Sequence, residues 1–352
     1  MSRPDVSKRA GRATLADVAL RAGVSRSIAS RVLNRRDDLV VRPETTERVL
    51  RAQRELDYRP NAYARALTQR QSRVVSLLLP DLTNPANAYI ARGAVERAQE
   101  RGFVVLLGED HDSRDPDKVI SGLLRSGRVD GVIVGSFVKG HRLPAALGQE
   151  GFPHVFVNRA VRGSGRNVVL DSGLASEAMV EFLHRLGHRH IGHVAGPLTL
   201  SPARDRRRRF LAAAADYGLP EPAVVEGEFS EYGGAHAADR LLSDHPELTA
   251  VYASSIGQGI GILHTAWRRG LAVPAQLSIT AYDDLPVAQF TVPPLTTVRV
   301  RLGALGAAAV DALLDQIEGS PPRDVTVPAF PEIMVRESTA PPAPAPGNRP
   351  GR

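Results

Sequence analysis

The chain has no cysteine in its 352 residues. That excludes disulfides and thiol chemistry and is compatible with a reducing cytoplasm. No stretch approaches the roughly 18 consecutive apolar residues of a membrane span. The N-terminal "MSRPDVSKRAGRATLADV" has basic residues but no apolar segment behind them, so no export signal is read. A cytoplasmic protein with no membrane association is expected. GxSxG, P-loop and HExxH patterns are missing too, so neither an enzyme nor a cofactor is expected. Lysine is reduced to Lys8, Lys118 and Lys139, and arginine carries the rest of the positive charge.

What is present is ordinary in amount and uneven in placement. A composition of 43% hydrophobic and 24% charged residues suits a soluble globular chain, long enough for two or three domains. The net charge is +7, but residues 1–70 hold 16 Lys+Arg against 8 Asp+Glu, which is +8, leaving −1 for the remainder. A coding bias toward arginine explains the choice of cation, not its confinement to one end. A basic module facing a polyanion, attached to a neutral body, accounts for both.

Within that module, "ATLADVALRAG" has Thr14 with Asp17 three residues on, a capping-box pattern. Leu15, Val18, Ala19 and Ala22 follow at helical spacing, and Gly23 ends the segment. In "VSRSIASRVLN", Ser25 can cap a second helix with Ile28, Ala29, Val32 and Leu33 inward and Arg26, Ser27, Ser30 and Arg31 away from the core. A third helix with Pro43 near its first turn and Val49, Leu50 and Leu56 inward closes a small core. Two short helices joined by a tight glycine turn make a helix-turn-helix, whose second helix presents its N-terminal residues to base edges in the major groove. Arginine suits that position because its fork can bond guanine O6 and N7 together.

"TLADVALRAGVSRSIASRVLN" and "ETTERVLRAQRELDYRPNAYARAL" resemble the DNA-binding headpiece of the LacI/GalR family of bacterial transcription regulators. The resemblance implies that Arg26, Ser27 and Arg31 read bases. The expected DNA-contact set also includes Thr14, Ser25, Ile28, Ser30, Asn34 and Tyr58. In "YRPNAYARALTQRQS", Asn61 can cap a helix from Ala62 to about Thr68 that is too short to be stable alone. By resemblance this hinge becomes helical on the operator, with Asn61, Ala64 and Arg65 in contact and Leu67 wedged between base steps in the minor groove. Two departures stand out: Ile28-Ala29 where the family usually has Thr-Val, and Arg42 where a small cap is usual before the third helix.

From Val74 on, "VVSLLLP", "FVVLLG", "GVIVGS", "HVFVN" and "IGHVAG" read as buried parallel strands, separated by helical stretches such as Tyr89–Arg101 and Ser176–Leu186. Ligands of open α/β sheets bind beyond the carboxyl ends of the strands. That draws attention to Asp81–Asn87, Asn158–Arg159, Asp171, Arg204–Arg206, Ser254–Ile256 and Asp283. "LLLPDLTNP", "VDGVIVGS", "HRLGHRHIGHVAGP", "ITAYDDLPVAQFTVPPLTTVRV" and "VTVPAFPEIMVRES" resemble the family's periplasmic-binding-protein-like core. The expected fold is an all-α helix-turn-helix headpiece plus an α/β core of two parallel-sheet subdomains with an effector cleft between them.

The expected divisions are a disordered basic arm at 1–12, a headpiece at 13–59 and a hinge at 60–72. A core at 73–338 and a disordered Pro-rich tail at 339–352 complete them. Within the core, one subdomain is expected at about 73–160 plus 298–320 and the other at about 161–297 plus 321–338. Crossings are expected near Asn158–Val169, Thr291–Val300 and Gly319–Val327. Asn87, Asp171, Arg206, Ser255 and Asp283 are the expected effector residues; Arg206 and Asp283 match the family's cleft arginine and aspartate, a pair able to clamp adjacent hydroxyls of a sugar. Ala86-Asn87 and Ser255-Ile256 depart from an aromatic pair and an Asn-Asp pair, and the arginines at 207–209 read as a solvated helix face. His184, His188, His190 and His193 read as structural histidines, not metal ligands.

The function implied is an operator-specific repressor controlled by a small, sugar-like effector. It would act as a homodimer on a pseudo-palindromic double-stranded DNA operator, and no heptad pattern in the tail points beyond a dimer. The alternatives are the same regulator with the sugar site lost or turned to a non-sugar ligand or protein partner, and a solute-binding protein on the same core.

Overall fold

The computed structural model describes residues 13–33, 41–58, 71–109, 128–135, 147 and 151–343. They fall into two compact units, one ending at Ser72 and one beginning at Arg73.

The first unit holds α1 (Leu15–Ala22), α2 (Arg26–Leu33) and α3 (Pro43–Glu55). Thr14 and Asp17 form the expected reciprocal cap, and Gly23 closes α1 at φ 66, a left-handed conformation that costs glycine nothing. Val18, Ala19, Ala22, Ala29, Val49 and Ala52 are the core, with Leu15, Val24, Val32, Leu33, Leu56 and Tyr58 packed on it. Two expectations change. Leu50 is 38% exposed, because Val49 and Ala52, three residues apart, already fill the inner stripe of α3. Ile28 is half-buried and outside the core cluster, and Ala29 beside it is the residue of α2 that is fully buried there.

The second unit is two α/β lobes. Lobe 1 carries a sheet in the order β11-β5-β4-β3-β1-β2, parallel throughout, from β1 (Val74–Leu79), β2 (Val104–Glu109), β3 (Gly131–Val134), β4 (His154–Val157), β5 (Asn167–Leu170) and β11 (Val325–Val327). Its helices are α4 (Pro85–Glu100) and α9 (Leu302–Ile317). These two approach closely through glycine: a Cβ added at Gly93 would lie 2.0 Å from the Gly303 carbonyl oxygen. Arg97 of α4 and Arg101, just past its end, both reach Asp311 of α9. The segment "FVVLLG" was expected to be buried, but β2 is the edge strand, and Val104, Leu106 and Leu107 are 63%, 45% and 44% exposed.

Lobe 2 carries the order β12-β10-β9-β8-β6-β7, from β6 (Ile191–Ala195), β7 (Val224–Glu226), β8 (Ala250–Ala253), β9 (Ser278–Tyr282), β10 (Thr296–Arg299) and β12 (Glu332–Met334). Only β12 runs antiparallel to its neighbour. The lobe's helices are α5 (Gly173–Arg185), α6 (Ser201–Asp216), α7 (Glu231–Asp244) and α8 (Ile256–Arg268).

Strand pairing moves the expected crossings. β5 pairs with β4 in lobe 1, so the chain leaves that lobe after Leu170, not between Asn158 and Val169. β10 pairs with β9 in lobe 2, so the return follows Arg299, at the far end of the expected Thr291–Val300 segment. β11 pairs with β5, so the last crossing follows Val327 instead of preceding it. The tail expected to be disordered from 339 is held at its start: the Ala340 carbonyl accepts from Ser278 Oγ, and His188 Nε2 lies 3.0 Å from the same oxygen.

Candidate nucleic-acid interface and ligand cleft

In the first unit, the Thr14 hydroxyl and amide both bond the Asp17 carboxylate, at 2.7 and 2.8 Å, which holds that carboxyl below its ordinary range. Ser25 Oγ accepts from the Ile28 amide at 3.3 Å, and so marks the start of α2. Arg26 and Ser27 are exposed in its first turn; Ser30 and Arg31 are half-buried. An ion pair of 2.8 Å between Arg21 and Glu55 ties α1 to α3. Arg42 makes no side-chain cap on α3, as its bulk leads one to expect. Tyr58 packs against the core with part of its surface open. Asn34, Asn61, Ala64, Arg65 and Leu67 lie outside the described residues.

In the second unit, the carboxyl edge of the lobe-2 sheet gathers three of the five expected effector residues. Arg206, on α6, is 7% exposed; it donates to the Ser254 carbonyl at 2.5 Å and lies 3.4 Å above the centroid of the Tyr282 ring. Such a contact in a desolvated site contributes about 2 kcal/mol. Asp283, just past β9, is 4% exposed, and burial raises its pKa to about 6 against the opposing pull of Arg206. Ser255 caps α8 by accepting from the Gln258 amide at 3.3 Å, and Ile256 behind it is 4% exposed. The Ser255 hydroxyl is thus engaged in starting a helix.

Sequence reasoning missed Gln258 and Tyr282. Gln258 is fully buried, and its Nε2 bridges the carbonyls of Ala195 and Gly227 at 3.1 and 2.9 Å. Gln258 Oε1, Tyr282 OH, Arg206 Nε and Asp283 Oδ1 are buried without a protein partner. Each such group costs about 1–3 kcal/mol, so a cluster of them along one sheet edge is the mark of a site made for a polar ligand. The adjacency of Tyr282 to Asp283 was the available signal for the first; nothing in the sequence distinguishes Gln258 from a surface glutamine.

Behind this edge, His193 stacks between Phe210 and Tyr252, with ring centroids 4.5 and 5.0 Å apart. Full burial drives its pKa down to about 3, so the ring is neutral, with Nδ1 3.0 Å from the Tyr252 carbonyl oxygen. His188 lies between Thr249 and Ala340, and burial lowers it as well. Among the described residues no group of three or more His, Asp or Glu side chains could hold a metal ion.

The other two expected effector residues lie elsewhere. Asn87 is buried in the first turn of α4 and donates its amide to the Asp81 carbonyl at 2.8 Å, closing its own loop. Asp171 lines a cleft of about 530 Å³ where the chain crosses between lobes. Asn158, Ser172 and Thr326 face α6 there, and α6 contributes Ser201, Arg204, Asp205 and Arg208. The arginine run is therefore more than a solvated face: Arg208 pairs with Asp205, Arg209 pairs with Glu177, and the Nε atoms of Arg207 and Arg209 are buried without partners. No helix among the described residues is long and apolar enough to cross a membrane.

Residues 14–61 match the family profile described as bacterial regulatory proteins, lacI family, and residues 180–339 match that of a periplasmic binding protein-like domain. The chain is 32% identical over 343 residues to the HTH-type transcriptional regulator CelR of Thermobifida fusca, covering 94% of this chain and 99% of the relative. It is 31% identical over 332 residues to the ribose operon repressor of Escherichia coli (strain K12), covering 93% and 99%. Among solved structures, a lac repressor dimer bound to operator and the anti-inducer ONPF superposes with a TM-score of 0.81 at 27% identity, covering 94% of this chain and 100% of that one.

Proposed function

The chain belongs to the LacI/GalR family of bacterial transcription regulators, and from that premise we propose how it works: as a dimeric, operator-binding repressor whose DNA affinity is set by a small molecule in the cleft between its lobes. The observation that carries the DNA-reading half is the exposure of Arg26 and Ser27 in the first turn of α2, on a helix that buries only Ala29 completely. Arg26, Ser27 and Arg31 read base edges. Thr14, Ser25, Ile28, Ser30, Asn34 and Tyr58 set the headpiece on the sugar-phosphate backbone around them. The hinge, with Asn61, Ala64, Arg65 and Leu67, enters the minor groove.

One headpiece reads half of a pseudo-palindrome, so two copies act together. Lobe 2 leaves Tyr232 and Trp267 82% and 76% exposed, apolar surface that suits coverage by the second copy. In the cleft, Arg206 and Asp283 hold the effector from lobe 2, Asp171 contacts it at the crossing, and Asn87 borders it from lobe 1. Ser255 holds the start of α8 beneath the site. The effector changes DNA affinity only to the extent that it binds one arrangement of the lobes better than the other.

The reading in which small-molecule control is lost draws on the engaged Ser255 hydroxyl and on Ile256. The unpartnered buried atoms of Arg206, Tyr282, Gln258 and Asp283 favour a retained polar ligand over that alternative. Selecting bound sequences from a random duplex pool tests the DNA half: the full chain recovers a two-fold symmetric site. Recovery of no symmetric consensus would overturn the proposal.

A further inference from the structure

We infer that Ile28, besides helping to seat the headpiece, is a specificity-determining residue whose side chain contacts the 5-methyl group of a thymine in each operator half-site. This rests on the reading that α2 lies in the major groove.

Ile28 follows Arg26 and Ser27 in α2. It therefore stands in the first turn, the part of a recognition helix that reaches base edges. An isoleucine there can meet the headpiece core, the sugar-phosphate backbone or a base. The core is filled without it: Ala29 is fully buried, Val32 and Leu33 pack on the same cluster, and Ile28 stays half-buried and outside it. The backbone is held by hydrogen-bond donors, and Ile28 has none to give. Its side chain is hydrocarbon, and its amide donates to Ser25 Oγ at 3.3 Å. That leaves a base. The apolar group that a base pair presents in the major groove is the thymine methyl.

The surroundings of Ile28 point the same way. Between Ser25 and Arg31 the apolar residues are Ile28 and Ala29, and Ala29 is buried, so Ile28 alone offers apolar surface beside the exposed Arg26 and Ser27. Contact with a methyl takes that surface out of water. A β-branched side chain in a helix holds essentially one χ1 rotamer, so little freedom is lost when the contact forms. Arg31 lies three residues on, which puts both side chains on one strip of the helix, and both are half-buried there. The thymine touched by Ile28 therefore falls within about two base pairs of the base that Arg31 reads.

The test uses the full chain and the duplex recovered by selection from a random pool. Each thymine of one half-site is replaced in turn by deoxyuridine, which keeps every hydrogen-bonding group of the base and lacks only the methyl. Wild type should lose about fourfold in affinity at one thymine, the factor for a single buried methyl. In Ile28→Ala that ratio should fall to one while the ratios at other thymines stay as they were. In Ile28→Val, which keeps the branched Cβ, it should be reduced but still present. Circular dichroism verifies that both variants are folded, and Ile28→Val carries the comparison should Ile28→Ala unfold the headpiece. A half-site with no methyl-sensitive thymine overturns the inference, as does a sensitivity that is undiminished in the variants. Equal weakening on every duplex, with the thymine-to-uracil ratios unchanged, shows a purely structural residue and overturns it as well. These outcomes leave the operator reading intact, because a symmetric site has been recovered; recovery of none overturns both.

Discussion

Replacing Asp283 by asparagine should make the unliganded protein more stable at neutral pH while abolishing its response to effector. The carboxyl is 4% exposed, and its pKa is raised from 3.8 to about 6 by burial, with Arg206 pulling the other way. A folded-state pKa above the unfolded value means that the folded chain holds a proton the unfolded chain has released. The stability tied to that proton is fully present below about pH 3.8 and is lost as the pH rises through about 6. At 1.36 kcal/mol per pKa unit the loss amounts to about 3 kcal/mol at pH 7.5. Asparagine keeps the shape and cannot ionise, so this loss disappears, and Arg206 retains the Ser254 carbonyl and the Tyr282 ring. Urea unfolding of wild type and Asp283→Asn at pH 4 and pH 7.5 should give equal stabilities at the lower pH. At the higher pH the variant should be more stable by up to about 3 kcal/mol. A variant that is less stable at pH 7.5 yet matched at pH 4 would refute the account of Asp283 as a desolvated charge kept for ligand.

Arg31→Ala should relax base preference at one position of each half-site with little change in non-specific affinity, read from selected DNA pools; unchanged selectivity would remove Arg31 from the reading set. Thr14→Ala removes the reciprocal cap of α1 and should cost the headpiece about 1 kcal/mol, seen as a lower melting temperature of its own transition. Gly93→Ala forces a methyl into the Gly303 backbone and should cost about 1–3 kcal/mol in the core transition; a neutral effect would mean that α4 and α9 part easily. Leu67→Ser should reduce operator bending in a gel assay with the site still recognised, and a full bend in that variant would rule out the wedge.

Periodicity and capping made α1 to α3 legible before any coordinates, because those signals act within a few residues of chain. Thr14, Asp17, Gly23 and Ser25 do what their types and spacing require. Leu50 and Ile28 were misplaced for a different reason. An apolar residue beside an inner stripe turns in or out according to which neighbour fills the space, and that depends on the other helices.

The same division holds in the core. The strands could be read from apolar runs, and family likeness drew attention to Arg206 and Asp283, both of which the fold buries. Strand pairing alone moved two lobe crossings, to after Leu170 and after Val327, and β2 became an exposed edge. Thus the sequence by itself determined the family, the order of elements and the basic DNA-facing end, since these rest on local spacing and on where charge sits in the chain. Only the tertiary structure decided that Gln258 and Tyr282 are buried with unpartnered polar atoms, as Arg206 and Asp283 are, that Asn87 closes its own loop, and that the arginine stripe of α6 faces a cleft. Burial and unmet hydrogen bonds belong to residues far apart in the chain, and they exist only once the sheets have been assembled.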